Sequence, residues 1–156
     1  MLIGVVSDTH RDETALKKVV EEIKNLDVVI HLGDNVADAE EIKDLINNKI
    51  VYVKGNCDIM ANEPTELIEE FHGVRILITH GHKYNVKNTL TELKYRAQQL
   101  EADIALFGHT HISEINFEDG IWLINPGSAA LPRDGHRSIA IICIEDGEIS
   151  PSIKLI

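Results

Sequence analysis

A chain of 156 residues is long enough to bury a real core and short enough to be one domain, so a single domain over 1–156 is expected. Its formal net charge of -11 argues against a general grip on nucleic acid, which needs basic surface. Its two cysteines, Cys57 and Cys143, lie far apart and form no CxxC pair, which excludes a thiolate cage and fits a reducing compartment.

The first element is an apolar run, Leu2 to Val6, read as a buried strand. Asp12 then precedes Leu16, Val19, Val20 and Ile23 at helical spacing. The pattern repeats. Val28-Val29-Ile30 gives a second strand, Ala39, Ile42, Leu45 and Ile46 a second helix, and Ile50 to Val53 a third strand. Strands this uniformly apolar, alternating with helices, predict parallel pairing under helical cover. The alternation ends in the middle of the chain, where Leu67 to Phe71 and Val74 to Thr79 flank His72-Gly73, a predicted hairpin. Thr89-x-x-Glu92 reads as a capping box opening a helix with Leu90, Leu93, Ala97 and Leu100 inward. Beyond Ala105-Leu106-Phe107 the pattern is antiparallel, with hairpins at Asp119-Gly120 and Asp146-Gly147. No repeat or Pro/Gly/Ser linker divides the chain, so the fold class is α/β in one unit. No apolar run approaches the roughly 20 residues of a membrane span, and no basic region precedes the first apolar run, so a cytoplasmic protein without membrane attachment is expected.

Polar clusters follow where the apolar strands stop: Asp8-Thr9-His10, Gly33-Asp34-Asn35, Gly55-Asn56-Cys57-Asp58, His80-Gly81-His82 and Gly108-His109-Thr110-His111. Open α/β sheets bind ligands beyond the carboxyl ends of their strands, so these clusters are expected to converge on one crevice. An extended backbone would point Asp8 with His10, and His109 with His111, to the same side, each pair offering two donors to one place. Neutral imidazoles, carboxylates and an amide oxygen suit Mn, Fe, Zn, Co or Ni better than Ca or Mg alone. Asp8, His10, Asp34, Asn56, His80, His109 and His111 are too many ligands for one ion; they fit two ions roughly 3.5–4 Å apart, the geometry of two-metal phosphoryl transfer. A lone Asp-x-His is more often a helix cap beside a surface imidazole, and Leu32-Gly33-Asp34-Asn35 alone is an ordinary turn. The ordered recurrence carries the signal. His31 and His72 read as structural and His136 as a solvated loop residue.

In that order the clusters resemble the calcineurin-like metallophosphoesterases, whose pattern is D-x-H, G-D, G-N-H-[DE], a histidine after a strand, and G-H-x-H. Small size and Asn125-Pro126-Gly127-Ser128 are similar to the compact bacterial and archaeal phosphodiesterase branch. The resemblance implies two mixed sheets sandwiched between helices. It assigns Asp8, His10 and His111 to a first metal, Asn56, His80 and His109 to a second, and Asp34 to both. A hydroxide between two divalent metals would attack phosphorus in line, the metals bearing the developing charge. Two such ions facing Asp8 and Asp34 leave roughly +2, which explains how an acidic protein attracts an anionic phosphate. Manganese is the expected ion in activity, with nickel, iron, cobalt or zinc as alternatives. Asp34, Asn56, Cys57 and Asp58 are the catalytic candidates; Arg11, Asn35 and His82 are candidates for touching substrate. Cys57 departs from the pattern, standing where many relatives place a histidine that assists the leaving group. Near metals the thiol is expected to ionise and to be a poor cationic substitute, so esters with good leaving groups should be preferred. The expected partner is a small phosphodiester. A phosphomonoester, a retromer-like role as a protein-binding scaffold, and a homo-oligomer are alternatives, and a duplex nuclease is disfavoured by the acidic surface.

Overall fold

Leu2–Val6 (β1), Val28–His31 (β2) and Lys49–Tyr52 (β3) run parallel, as their apolar sequences require, in the computed structural model, which describes residues 1–156. Two helices, Glu13–Ile23 (α1) and Val36–Leu45 (α2), make the crossovers. The Asp12 carboxylate starts α1 by accepting the Ala15 N–H at 3.0 Å. Two late strands, Ser138–Glu145 (β9) and Glu148–Leu155 (β10), form a hairpin whose β9 pairs antiparallel with β1. The first sheet is therefore ordered β10-β9-β1-β2-β3.

The second sheet takes Glu66–Phe71 (β4), Val74–Thr79 (β5), Ile104–Leu106 (β6), Ser113–Glu118 (β7) and Ile121–Pro126 (β8), in the order β4-β5-β6-β8-β7. Here the structure departs from a purely antiparallel second half: β6 pairs parallel with both β5 and β8. Ile104, Ala105 and Leu106 are all fully buried, a strand covered on both faces in the manner of a parallel core. The crossover from β5 to β6 carries Thr91–Gln99 (α3). Its expected capping box does not form. Leu90 is the cap residue, and Thr89, one position too early, closes a local turn by accepting the Thr91 N–H at 3.2 Å. The hairpins form as expected, with positive φ at both turn residues of His72-Gly73, Asp119-Gly120 and Asp146-Gly147.

Alternate residues sort the core into layers. Ile3, Val5, Val28 and Ile30 from the first sheet meet Ile76, Ile78, Ile104 and Leu106 from the second between the two sheets. Val6, Val29 and Ile139 face outward under α1 and α2. Leu77, Ala105 and Leu123 face outward under α3. The architecture is thus helix, sheet, sheet, helix, as the resemblance implied, and fully burying each such side chain stabilises it by about 1.5–3 kcal/mol. No helix is long and apolar enough to cross a membrane.

Candidate metal centre

Beyond β1, Asp8 is fully buried. Its Oδ2 accepts from Ser7 Oγ at 2.6 Å and from the His109 N–H at 3.1 Å. Its Oδ1 has no hydrogen-bond partner, yet lies 3.1 Å from His111 Nε2 and 3.9 Å from His10 Nε2. Those two imidazole nitrogens are 3.4 Å apart. Because the Leu131 carbonyl can only accept, His111 Nδ1 donates to it at 2.7 Å, and its Nε2 lone pair is left facing Asp8.

Beyond β2, Asp34 is also buried, its Oδ1 accepting the Cys57 N–H at 2.9 Å and its Oδ2 the Cys57 thiol at 3.1 Å. His80, fully buried beyond β5, donates from Nδ1 to the Leu32 carbonyl at 2.9 Å. Its Nε2, without a hydrogen-bond partner, points at Asp34 Oδ1 across 3.5 Å. The His109 ring lies 5.1 Å from the His80 ring, and the His82 ring 5.5 Å from it. No extended backbone presents these groups. Asp8, His10, His109 and His111 have φ of 55°, 47°, 67° and 61°. Such left-handed non-glycine residues cost roughly 1–3 kcal/mol each and gather at functional sites. The Thr110 N–H closes a tight turn onto the Gly108 carbonyl at 2.8 Å, so the last pair splits: His111 joins Asp8 and His10, while His109 turns to His80 and His82.

Glycine is required where carboxylates abut the loops. A Cβ on Gly55 would stand 2.1 Å from Asp34 Oδ1, and one on Gly108 would stand 2.1 Å from Ser7 Oγ and 2.8 Å from Asp8 Oδ2.

Charge is tightly coupled here. Burial opposes ionisation of Asp8 and Asp34, but the protonated forms of the facing His111 and His80 rings, together with the bonds from Ser7 and Cys57, outweigh it and hold both carboxyls below their usual range. Reciprocally, Asp8 raises His111, and Asp34 overcomes burial to raise His80. Burial lowers His109 to about 4, helped by the His80 charge.

The remaining candidates surround this core. Asn56 is exposed, its amide 3.4 Å from Cys57 Sγ. Both Asp58 oxygens are occupied by backbone: Oδ2 accepts from Asp34, Asn35 and Gly55 at 3.0, 3.4 and 2.9 Å, and Oδ1 from Val36, the first residue of α2, at 2.9 Å. Asn35 donates to Asp38, and Arg11 Nε reaches Asn35 Oδ1 at 3.4 Å. Burial first, then its bond to Asp34, pushes the Cys57 thiol up to about 11. His31 is structural, accepting the Gly33 N–H at Nδ1 and meeting Thr9 Oγ1 at Nε2, and burial lowers it to about 4. His72 and His136 are exposed.

Several residues that shape the site lie outside the motifs. Ser128 Oγ donates to the Asp8 carbonyl at 2.8 Å, and Asn125 Nδ2 holds the Gly108 carbonyl at 3.0 Å. Their signal was the polar stretch closing β8, Asn125-Pro126-Gly127-Ser128. Ligand atoms converge in three overlapping groups, Asp8/His10/His111, His10/Asp34/Cys57 and Asp8/Asp34/His80, each within 4.8 Å. Together with the unpartnered Asp8 Oδ1 and His80 Nε2, this mixed oxygen and nitrogen donor set fits a divalent transition metal.

The chain matches the calcineurin-like phosphoesterase superfamily domain over residues 1–147. It is 36% identical over 148 residues to a probable metallophosphoesterase of Bacillus subtilis, YsnB, covering 94% of this chain and 86% of that one. It is 30% identical to the phosphodiesterase MJ0936 of Methanocaldococcus jannaschii, covering 95% and 96%. The crystal structure of a predicted phosphoesterase from Streptococcus pneumoniae superposes with a TM-score of 0.83 at 31% identity, covering 99% of this chain and 88% of that one. A single mutant of Vps29 from Entamoeba histolytica shares the fold, with a TM-score of 0.79 at 22% identity and coverage of 100% and 99%.

Proposed function

The chain belongs to the calcineurin-like phosphoesterase superfamily, and from that membership we propose that it hydrolyses a small phosphodiester using two divalent cations. Asp8, His10 and His111 would hold one cation, Asn56, His80 and His109 the other, and Asp34 both. The observation that carries this reading is the buried, unpartnered pair Asp8 Oδ1 and His80 Nε2, which converge with Asp34, while Asp8 also converges with the imidazole nitrogens of His10 and His111. Manganese is the favoured ion, with nickel, iron, cobalt and zinc compatible with the donors. When bound, such cations supply Lewis acidity at the phosphoryl oxygens and a water of lowered pKa as nucleophile.

The chain's own residues set the geometry. Leu32 and Leu131 carbonyls fix the tautomers of His80 and His111, so both present a lone pair to the recess. Cys57 and Asp58 are positioning residues: the first holds both oxygens of the Asp34 side chain, the second its backbone. The guanidinium of Arg11, with Asn35, lines the recess and would contact the non-bridging oxygens of the substrate. His82 stands behind His80 and His109. With cysteine rather than histidine at position 57, no imidazolium there would protonate the departing alkoxide, so good leaving groups are favoured.

The test is hydrolysis of a nitrophenyl phosphodiester beside the matching monoester, on metal-stripped protein before and after adding manganese or nickel, with Asp34→Ala as control. Metal-dependent diester cleavage that vanishes in the variant is expected. Monoester preference would move the assignment to a phosphatase, and silence on both with metal bound would favour a Vps29-like scaffold.

A further inference from the structure

The recess around Asp34 opens into a larger cavity of about 570 Å³, and the two share Arg11, Asn35 and Cys57. The far part is built differently from the near part. Ile59 and Met60, in the loop after Asp58, line it while 84% and 92% exposed, two large apolar side chains that this chain itself leaves uncovered. Glu40 from α2 and Glu63 line it too, and neither belongs to the recess where Arg11 stands. No ion pair occupies either glutamate. The nearby Lys54 ammonium is turned to the Ala61 carbonyl at 2.7 Å. Burial raises the Tyr52 phenol, and the charges of Glu40 and Glu63 add to it. The lining is therefore divided: Arg11, Asn35 and Cys57 are shared with the recess of the metal ligands, whereas Ile59, Met60 and the two unpaired carboxylates belong to the larger cavity alone.

We propose that this cavity binds the ester group retained on phosphorus, and that it selects an aliphatic chain carrying a positive charge over one carrying a further carboxylate or phosphate. The inference rests on the phosphodiesterase reading of the adjoining recess. Ile59 and Met60 would cover the methylene groups, and Glu40 and Glu63 would face the cation. Two partly exposed charge pairs of this kind change affinity by about 2–30-fold and weaken in salt.

A charge series of equal length tests it: the 2-aminoethyl, propyl and carboxymethyl p-nitrophenyl phosphates, assayed with manganese-loaded protein. The expected KM rises in that order, by about 2–30-fold from end to end, at similar kcat, and the spread narrows in high salt. Glu40→Gln with Glu63→Gln should flatten the series without changing kcat for the propyl ester, and Met60→Ala should raise KM for all three. An unordered series, or one that survives the double glutamate variant, would overturn the proposal. The corresponding methylphosphonate esters, which release no nitrophenol, are titrated calorimetrically in parallel. Charge-ordered Kd values without any turnover of the nitrophenyl esters would overturn the phosphodiesterase reading and uphold the cavity's selectivity, whereas unordered Kd values would sink the selectivity itself.

Discussion

The two sheets bring different chemistry to the centre. The loops following β1 and β2 carry the buried carboxylates Asp8 and Asp34, with His10 beside them and the proposed donor Asn56 following β3, whereas those following β5 and β6 carry imidazoles, His80, His109 and His111. Each side is oriented by the other. The Leu32 carbonyl after β2 fixes His80, while the His109 N–H after β6 and the Ser128 hydroxyl after β8 fix Asp8. Neither sheet therefore carries a site by itself; the site depends on how the sheets are registered across their shared core.

The largest break should come from the oxygen side. Asp34→Ala is expected to lower metal content, read by elemental analysis, and to cut diester hydrolysis more than about 100-fold. That exceeds the roughly 10–100-fold typical of losing a group that merely supports a ligand. Loosening the register without touching a donor comes next. Leu106→Ala in the inter-sheet core should cost about 2–5 kcal/mol in denaturant unfolding. The exposed Leu45→Ala should stay within about 0.5 kcal/mol.

Acid should sharpen the contrast between the sides. His80 and His111 are raised, so in metal-free protein they keep protons above the ordinary imidazole value, and an incoming cation must displace them. Calorimetric affinity should fall as pH falls through those raised values, by about tenfold per pH unit for each proton displaced. The linked stability has the same sign: the contribution of these two groups is present below about 6.5 and is lost as pH rises through their folded values. The lowered Asp8 and Asp34 contribute above about 3.8 and lose that contribution in stronger acid.

Placing an imidazole on the oxygen side blurs the division. Cys57→His is expected to speed hydrolysis of esters with poor leaving groups by about tenfold or more, within the range of general acid catalysis; unchanged relative rates across a leaving-group series would refute it. A structural link between the sides can be removed without touching a donor: Ser128→Ala, which takes away the hydroxyl bond to the Asp8 carbonyl and two local N–H contacts, should cost about 1–3 kcal/mol of unfolding free energy.

The sequence revealed most of what local chemistry dictates. Apolar runs located the parallel strands of the first sheet, and Asp-Gly and His-Gly pairs located all three hairpins, because φ above zero has few tenants. Polar clusters at strand ends marked the site. Less visible was anything set by the register between the sheets. The divergence of His109 from His111 comes from a left-handed turn that spacing does not encode. Backbone carbonyls at Leu32 and Leu131 leave no trace in side-chain identity. Thr89 and Glu92 match a capping box in letters, yet the helix begins one residue later than the motif requires. Asp58 reads from the sequence as a catalytic candidate, and only the structure shows that both of its oxygens brace the backbone of Asp34 and the start of α2.

The two carbonyl anchors also bear on how ions come and go. Rotating the His80 or His111 ring would break a buried hydrogen bond and strand a carbonyl, at a cost of about 1–3 kcal/mol. The rings therefore hold their aim with or without an ion, so the loops would present the same donors to each cation that reached them, and the choice among cations would fall to that fixed geometry, the donor types and supply.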